Sequence, residues 1–201
     1  MAEEAKLWSS HLARLKDHHA PLHLLLRKLS QRRFVDFTGR TDIHLAEVKV
    51  EDDFIYGAHV SIIQLAARDL RLTFKAHFNL SEVETLTLRK NAGTRTNKEL
   101  RRSTYDLFRE YTNLVAGAMA KQFQGDGVLA GISLPLATSG FNEVIASDEL
   151  LPHRLVDYWT IRGSDFEFIC SIHLDILRPD VLEQLAHDEV SAEGEGDIEL
   201  L

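Results

Sequence analysis

A single cysteine, Cys170, leaves the chain without any intramolecular disulfide, which sets aside the small stapled folds of secreted proteins. Long apolar runs are missing too: none approaches the roughly 20 residues that a bilayer-spanning helix needs. The opening residues, MAEEAKLWSSHLARLKDHH, lack the uncharged apolar core of a secretory signal. A reducing, cytoplasmic setting is therefore expected, with no membrane partner. Basic surface is scarce: 23 Lys and Arg against 31 Asp and Glu give a net charge of −8. That is the wrong sign for gripping a phosphate backbone, so no nucleic-acid partner is expected. A protein partner with a basic pocket stays admissible.

What is present is ordinary globular material. The 201 residues are 44% hydrophobic and 27% charged, enough for one sizeable domain or a domain with an appendage. Residues 3–30 read as helical with an interruption before Pro21, because the residue preceding a proline disfavours the helical region. Within them LHLLLRKL (22–29) is too apolar for a solvated helix and is expected to pack on the body or on a second subunit. Leu70, Leu72, Phe74, Ala76 and Phe78 alternate with polar residues, the period of a strand with one dry face. GAHVSIIQL (57–65) and DIHLAEVKV (42–50) are further strands.

Ser81 with Glu84, and Thr96 with Glu99, have the spacing of capping boxes and predict two helix starts. The second helix runs to about Gln124, where Gly125-Asp126-Gly127 stops it. VLAGISLPLA (128–137) predicts a strand at an edge or near its end, because Pro135 cannot donate to a ladder. RLVDYWTI and DFEFICSIHLDIL flank Gly163-Ser164 as a hairpin, and Pro179 suits the first turn of a closing helix over 179–187. The order of elements predicts an α+β fold in two layers, a largely antiparallel sheet packed against long helices. The expected division is a helical extension over 1–35, a central domain over 36–188 and an acidic flexible tail over 189–201.

The segment YDLFREYTNLVAGAMAKQF (105–123) carries the candidate site. At about 100° per residue, Asp106, Glu110, Asn113 and Gly117 fall in a band roughly 60° wide. Leu100, Leu107, Tyr111, Leu114, Val115 and Ala118 lie opposite and would bury the helix on the sheet. Asn and Gly each weaken a helix relative to Ala, by roughly 0.5 and about 1 kcal/mol, and packing asks for neither here. The plain alternative is a solvated face. The functional one is a surface where Gly117 lets a partner approach, the carboxylates meet a cation, and Asn113 donates and accepts at once, as orienting a water requires.

Asp106-x-x-x-Glu110-x-x-Asn113, followed by Pro135 in ISLPLATSG, resembles the signature of the chemotaxis phosphatases CheC and CheX, and most resembles CheX. The resemblance implies a frequently dimeric domain that hydrolyses the aspartyl phosphate of a CheY-like response regulator. On it, Glu110 and Asn113 are catalytic: Glu110 docks to the regulator's lysine and Asn113 orients the attacking water. Asp106, Arg109, Gly117 and Pro135 would contact the partner or shape the surface it meets. The chain itself would need no cofactor or metal, the Mg²⁺ belonging to the partner. Arg109 departs from the small residue expected before Glu110. Two rival readings keep the fold without the chemistry: an adaptor that binds a receiver domain or kinase in two-component signalling, and a structural subunit.

Other candidates are weaker. His18, His19 and His23 are divided by Pro21 and lack a third firm metal ligand. Cys170 alternates with large apolar residues, as a buried structural thiol would. Ser133 and Ser139 do not match a nucleophile elbow, NAGTRTNK lacks the phosphate-loop spacing, and Trp8 and Trp159 read as packing residues.

Overall fold

The period-two segments become the strands of one sheet. The computed structural model describes residues 22–48, 57–88, 96–140 and 154–178, together with Val181 and Leu185. In chain order the elements are α1 (22–38), β1 (His44–Glu47), β2 (His59–Ala66), β3 (Leu70–Phe78), α2 (Leu80–Leu88), α3 (Asn97–Gly125), β4 (Gly131–Ile132), β5 (Leu136–Ser139), β6 (Arg154–Arg162) and β7 (Glu167–Ile176). The strands lie in the order β1-β6-β7-β3-β2-β4, with β5 also on β2. Every pairing is antiparallel, so this is the α+β class that the element order predicts.

α1 and α3 cover the same sheet face. Ile63, Leu65, Leu72, Phe74, Trp159, Phe168, Cys170 and Ile172 form that face and share one core with the helices. The apolar side of α1 (Leu22, Leu25, Leu26, Leu29 and Phe34) belongs to this core. Its docking is pinned by Arg27, which donates to both oxygens of Asp157 on β6 at 2.7 and 2.5 Å. The apolar run at 22–29 thus packs on the body, and a boundary at residue 35 falls inside a helix of the main domain. Residues 1–21, the closing helix except for the buried Val181 and Leu185, and the tail over 189–201 lie outside the described residues.

Three local expectations change. α2 begins at Leu80, so Ser81 is already helical. Asn79 is the entry residue: its amide donates to Glu82 at 3.0 Å and its oxygen accepts from the Ala58 N–H at 3.0 Å. The strand expected over 128–137 is broken into β4 and β5 around Ser133-Leu134-Pro135. Ser133 spans the break, its N–H donating to the Gln64 carbonyl at 2.8 Å while its hydroxyl accepts from the Gln64 N–H at 3.0 Å. The break lies at the sheet edge, where a proline is tolerated. Finally, the polar side of β3 is enclosed rather than wet, with Thr73, Lys75 and His77 all buried.

That enclosure has a consequence for acid stability. His77 lies 3.0 Å from Ser171 Oγ, and burial together with the Lys75 charge pulls its pKa down to about 3. His173 is pulled to about 3 by burial and by the charges of Lys75, Arg154 and His77. Both values lie below the 6.5 of the unfolded chain. The unfolded state therefore binds more protons between these limits, and stability falls as pH drops from about 6.5 toward 3. Each histidine contributes a slope of up to roughly 1.4 kcal/mol per pH unit. Urea unfolding at pH 7, 6 and 5 is expected to show this decline, with a shallower slope in His77→Gln; a level profile over that range would contradict it.

Candidate functional site

α3 is fixed along its inner side before it presents anything outward. Thr96 caps it: the Glu99 N–H donates to Thr96 Oγ1 at 3.3 Å and the Thr96 N–H donates to Glu99 Oε2 at 2.8 Å. At the far end Gly127 adopts φ +80, which glycine permits without strain, and the Val128 N–H closes onto the Phe123 carbonyl at 2.7 Å. Between these ends Phe108 stacks on Phe78 with ring centroids 3.9 Å apart. Ser61 on β2 donates to the Phe108 carbonyl at 3.2 Å and lies 3.1 Å from Thr112 Oγ1.

Tyr111 anchors α3 to α1. It is fully enclosed, meets Phe34 edge-on at 5.2 Å, and donates to the Ser30 carbonyl at 3.3 Å. Trp159 donates to Ser30 Oγ at 3.0 Å, so one serine ties helix, helix and sheet together. Tyr111 and Thr112 directly before Asn113, and Val115 and Ala116 after it, are all buried. The backbone that carries Asn113 is therefore held on both sides.

Opposite this seat the structure places Asp106, Glu110 and Asn113 exposed and Gly117 half-buried. Glu110 and Asn113 have no hydrogen-bond or ion-pair partner among the described residues. A Cβ built on Gly117 meets nothing within 4 Å, so the fold itself would accept Ala there and gain about 1 kcal/mol of helix propensity. Asp106 differs from Glu110. Arg109 Nη1 lies 3.3 Å from its carboxylate and Arg102 Nε 4.0 Å, so its charge is met from within the helix. Among the described residues, Glu110 is left as the carboxylate of the row with no cation of its own.

Arg109 lies beside the row, bonded to Asp106 and 41% exposed. Pro135 sits in the break between β4 and β5, both of which pack against α3. Pro135 thus lies in a sheet-edge segment whose flanking strands touch α3, the helix that carries the row and Arg109. Reading the row alone missed a neighbouring set of cations, Lys98, Arg101 and Arg102, although their spacing in NKELRRSTYDLFRE was visible. It also missed that Tyr105 hydrogen-bonds His59 Nδ1 at 2.8 Å. Burial, and then the Arg101 charge, hold His59 below its ordinary pKa.

The remaining candidates are accounted for in place. His18, His19 and Trp8 lie outside the described residues; His23 faces Asp157 at 3.9 Å. Cys170 is enclosed, 3.6 Å from the Tyr111 hydroxyl, and burial pushes its thiol pKa well up, the condition of an inert thiol. Ser133 serves the strand break. Among the described residues no helix is long and apolar enough to cross a membrane.

No family model and no curated protein matches the sequence. Solved structures do match in three dimensions. CheX of Borrelia burgdorferi, in a complex with CheY, BeF3 and magnesium, aligns with TM-score 0.60 at 14% identity, covering 76% of this chain and 96% of that one. The chemotaxis protein CheX of Vibrio vulnificus aligns with TM-score 0.54 at 13% identity, covering 75% and 96%. The chemotaxis protein CheX of Desulfovibrio desulfuricans aligns with TM-score 0.56 at 11% identity, covering 79% and 99%. At such identities the likeness is one of backbone architecture: this chain has the fold of the CheC and CheX chemotaxis proteins.

Proposed function

We propose that the chain is a CheX-like phosphatase: it docks the outer side of α3 on a phosphorylated, CheY-like receiver domain and hydrolyses the aspartyl phosphate. The observation that carries this reading is the pair Glu110 and Asn113, exposed and without partners among the described residues on a helix whose inner side packs into the core. A helix so placed offers rigid side chains to another molecule. The relative from Borrelia burgdorferi, with CheY bound to it, supports a receiver as that molecule.

The chemistry needs little from the protein. An acyl phosphate is already reactive, so the gain comes from holding a water in line with the phosphorus. Asn113 suits that task because its oxygen accepts from the water while its NH2 donates to a phosphoryl oxygen; amides position water in this way in GTP hydrolysis. Glu110 pairs with a lysine of the receiver and fixes the depth of entry. Gly117 lets the two surfaces close, and Asp106, Arg109 and Pro135 border the contact. The Mg²⁺ that neutralises the phosphoryl oxygens is held by the receiver, not by this chain. Homodimerisation, which the resemblance implies, would have to use a surface other than the apolar side of α1, since the chain's own core fills that side.

Following phosphate loss from purified phosphorylated receivers tests the reading. Saturable acceleration of at least tenfold is expected; binding without acceleration would instead make the chain an adaptor. Reversing the proposed ion pair with Glu110→Lys is expected to weaken association about tenfold or more. Titration calorimetry gives that number directly, and an unchanged Kd would take Glu110 out of the interface.

A further inference from the structure

α3 carries a second surface beside the docking row. Lys98, Arg101, Arg102, Tyr105, Asp106 and Arg109 line a shallow depression of about 300 Å³. Four cations face one carboxylate there, in a chain whose net charge is −8. At 100° per residue, Arg102, Arg109 and Lys98 project about 40–80° to one side of Asp106, the side on which Asn113 lies, with Glu110 on the other. Arg101 leans back over Tyr105, its guanidinium 5.4 Å from the ring centre and donating to the hydroxyl at 3.1 Å. Asp106 takes up Arg102 and Arg109 only in part, Arg102 being 87% exposed at 4.0 Å, and Lys98 has no partner among the described residues.

The fold does not ask for these charges. The first turns of a helix favour acids, because the macrodipole places partial positive charge there. Glu99 meets that preference through the cap, whereas Lys98 opposes it, and Arg101 and Arg102 follow in the next turn. None of the three enters the core. A surplus of cations on one exposed ledge, next to a row proposed to enter a partner's pocket, complements an anionic rim.

We infer that the Lys98-Arg101-Arg102-Arg109 ledge recognises the acidic surface around the receiver's phosphorylation pocket, steering and orienting the receiver so that Asn113 enters. This rests on the docking proposed above and names the chemistry of the partner's contact. A pocket that holds Mg²⁺ does so with carboxylate oxygens, and the phosphoryl group adds further negative charge. The rim that meets the ledge is therefore anionic. Glu110 carries the opposite instruction, a single carboxylate for a single cation, so the two features fix the receiver's rotation about the docking axis.

The test measures association with a receiver domain loaded with Mg²⁺ and beryllofluoride, at 50 and 500 mM NaCl, for wild type and Lys98→Glu/Arg102→Glu. Both positions are exposed, and acids suit the first turns of a helix, so the thermal midpoint is expected to stay within a few degrees. At low salt the double variant is expected to bind roughly tenfold or more weaker, chiefly through a slower on-rate. At high salt the gap is expected to shrink below about threefold. Unchanged affinity and salt slope in the double variant, with wild type still binding, would overturn this inference alone and leave the docking row standing. No binding by wild type would overturn both. One further arm neutralises Glu193, Glu195, Asp197 and Glu199 in the full chain. A rise in wild-type affinity that the double variant lacks would mean that the chain's own acidic segment competes with the receiver for the ledge, and would support the inference.

Discussion

An Asn113→Ala protein is expected to fold, to bind a phosphorylated receiver, and to have lost most of its power to dephosphorylate it. The side chain is exposed and makes no hydrogen bond within the described residues, so its removal breaks nothing in the fold. Ala is the better helix former by about 0.5 kcal/mol, and unfolding in urea is expected to show equal or slightly greater stability. On the proposed docking, binding rests on Glu110 and the surrounding contact area, so Kd is expected to change by less than about threefold. The rate of hydrolysis at saturation is expected to fall about a hundredfold or more, because orientation of the nucleophile is the contribution removed. Asn113→Gln separates chemistry from geometry. It keeps the amide but moves it outward by one methylene, about 1.5 Å, and is expected to recover little of the rate. Gain in stability together with loss of rate is what distinguishes a working residue from a structural one. An Asn113→Ala protein with wild-type turnover would remove the amide from the mechanism.

Truncating Phe34 to Ala is expected to cost about 3–5 kcal/mol, a large share of the stability of a domain this size. Phe34 is fully enclosed and lies between Tyr111, Phe166 and Phe168, with ring centroids at 5.2, 5.4 and 5.0 Å. Its removal leaves a cavity walled by aromatic rings that cannot collapse freely. Tyr111 is two residues from Asn113, so the same loss loosens the helix that presents the amide, and activity is expected to fall with stability. By the same contacts, a chain beginning at residue 36 lacks Leu22, Leu25, Leu26, Leu29 and Phe34 from the core, and is expected not to fold. Urea titration of Phe34→Ala gives the number. A loss below about 1 kcal/mol would mean that α1 is an accessory rather than part of the domain.

Much of this architecture is legible in the chain because its signals are local. The strands follow from the two-residue period of β3 and β7, and α3 from its capping box, its apolar side and the glycines that stop it. What was not legible depends on contacts far apart in sequence. An apolar helix such as α1 announces that it packs, but only Arg27 on Asp157 and Tyr111 on Ser30 say against what. Ser81-Glu84 and Asn79-Glu82 both fit a helix start; the choice is made by the Ala58 N–H just before β2, which donates to the Asn79 side chain. The polar side of β3 reads as wet from its period, yet Lys75 and His77 are enclosed, a matter of what lies over the sheet rather than of the strand. The site was the reverse case. The exposed row can be drawn on a helical wheel, while of the two arginines at i−4 and i+3 from Asp106, equally visible there, the sequence reading takes up only Arg109 and leaves out Arg102, and with it their shared effect on that carboxylate.

The claim on which the account turns is that the amide of Asn113 leaves its own protein and enters a partner's phosphorylated pocket. The side-chain NH2 resonances of ¹⁵N-labelled protein report this directly, the Asn113 pair being assigned by its absence from the spectrum of Asn113→Ala. Addition of an unlabelled receiver loaded with Mg²⁺ and beryllofluoride is expected to shift that pair and slow its exchange with solvent, whereas the unloaded receiver leaves it nearly unmoved. An Asn113 pair that keeps its free position and exchange rate while the loaded receiver is bound would contradict the account.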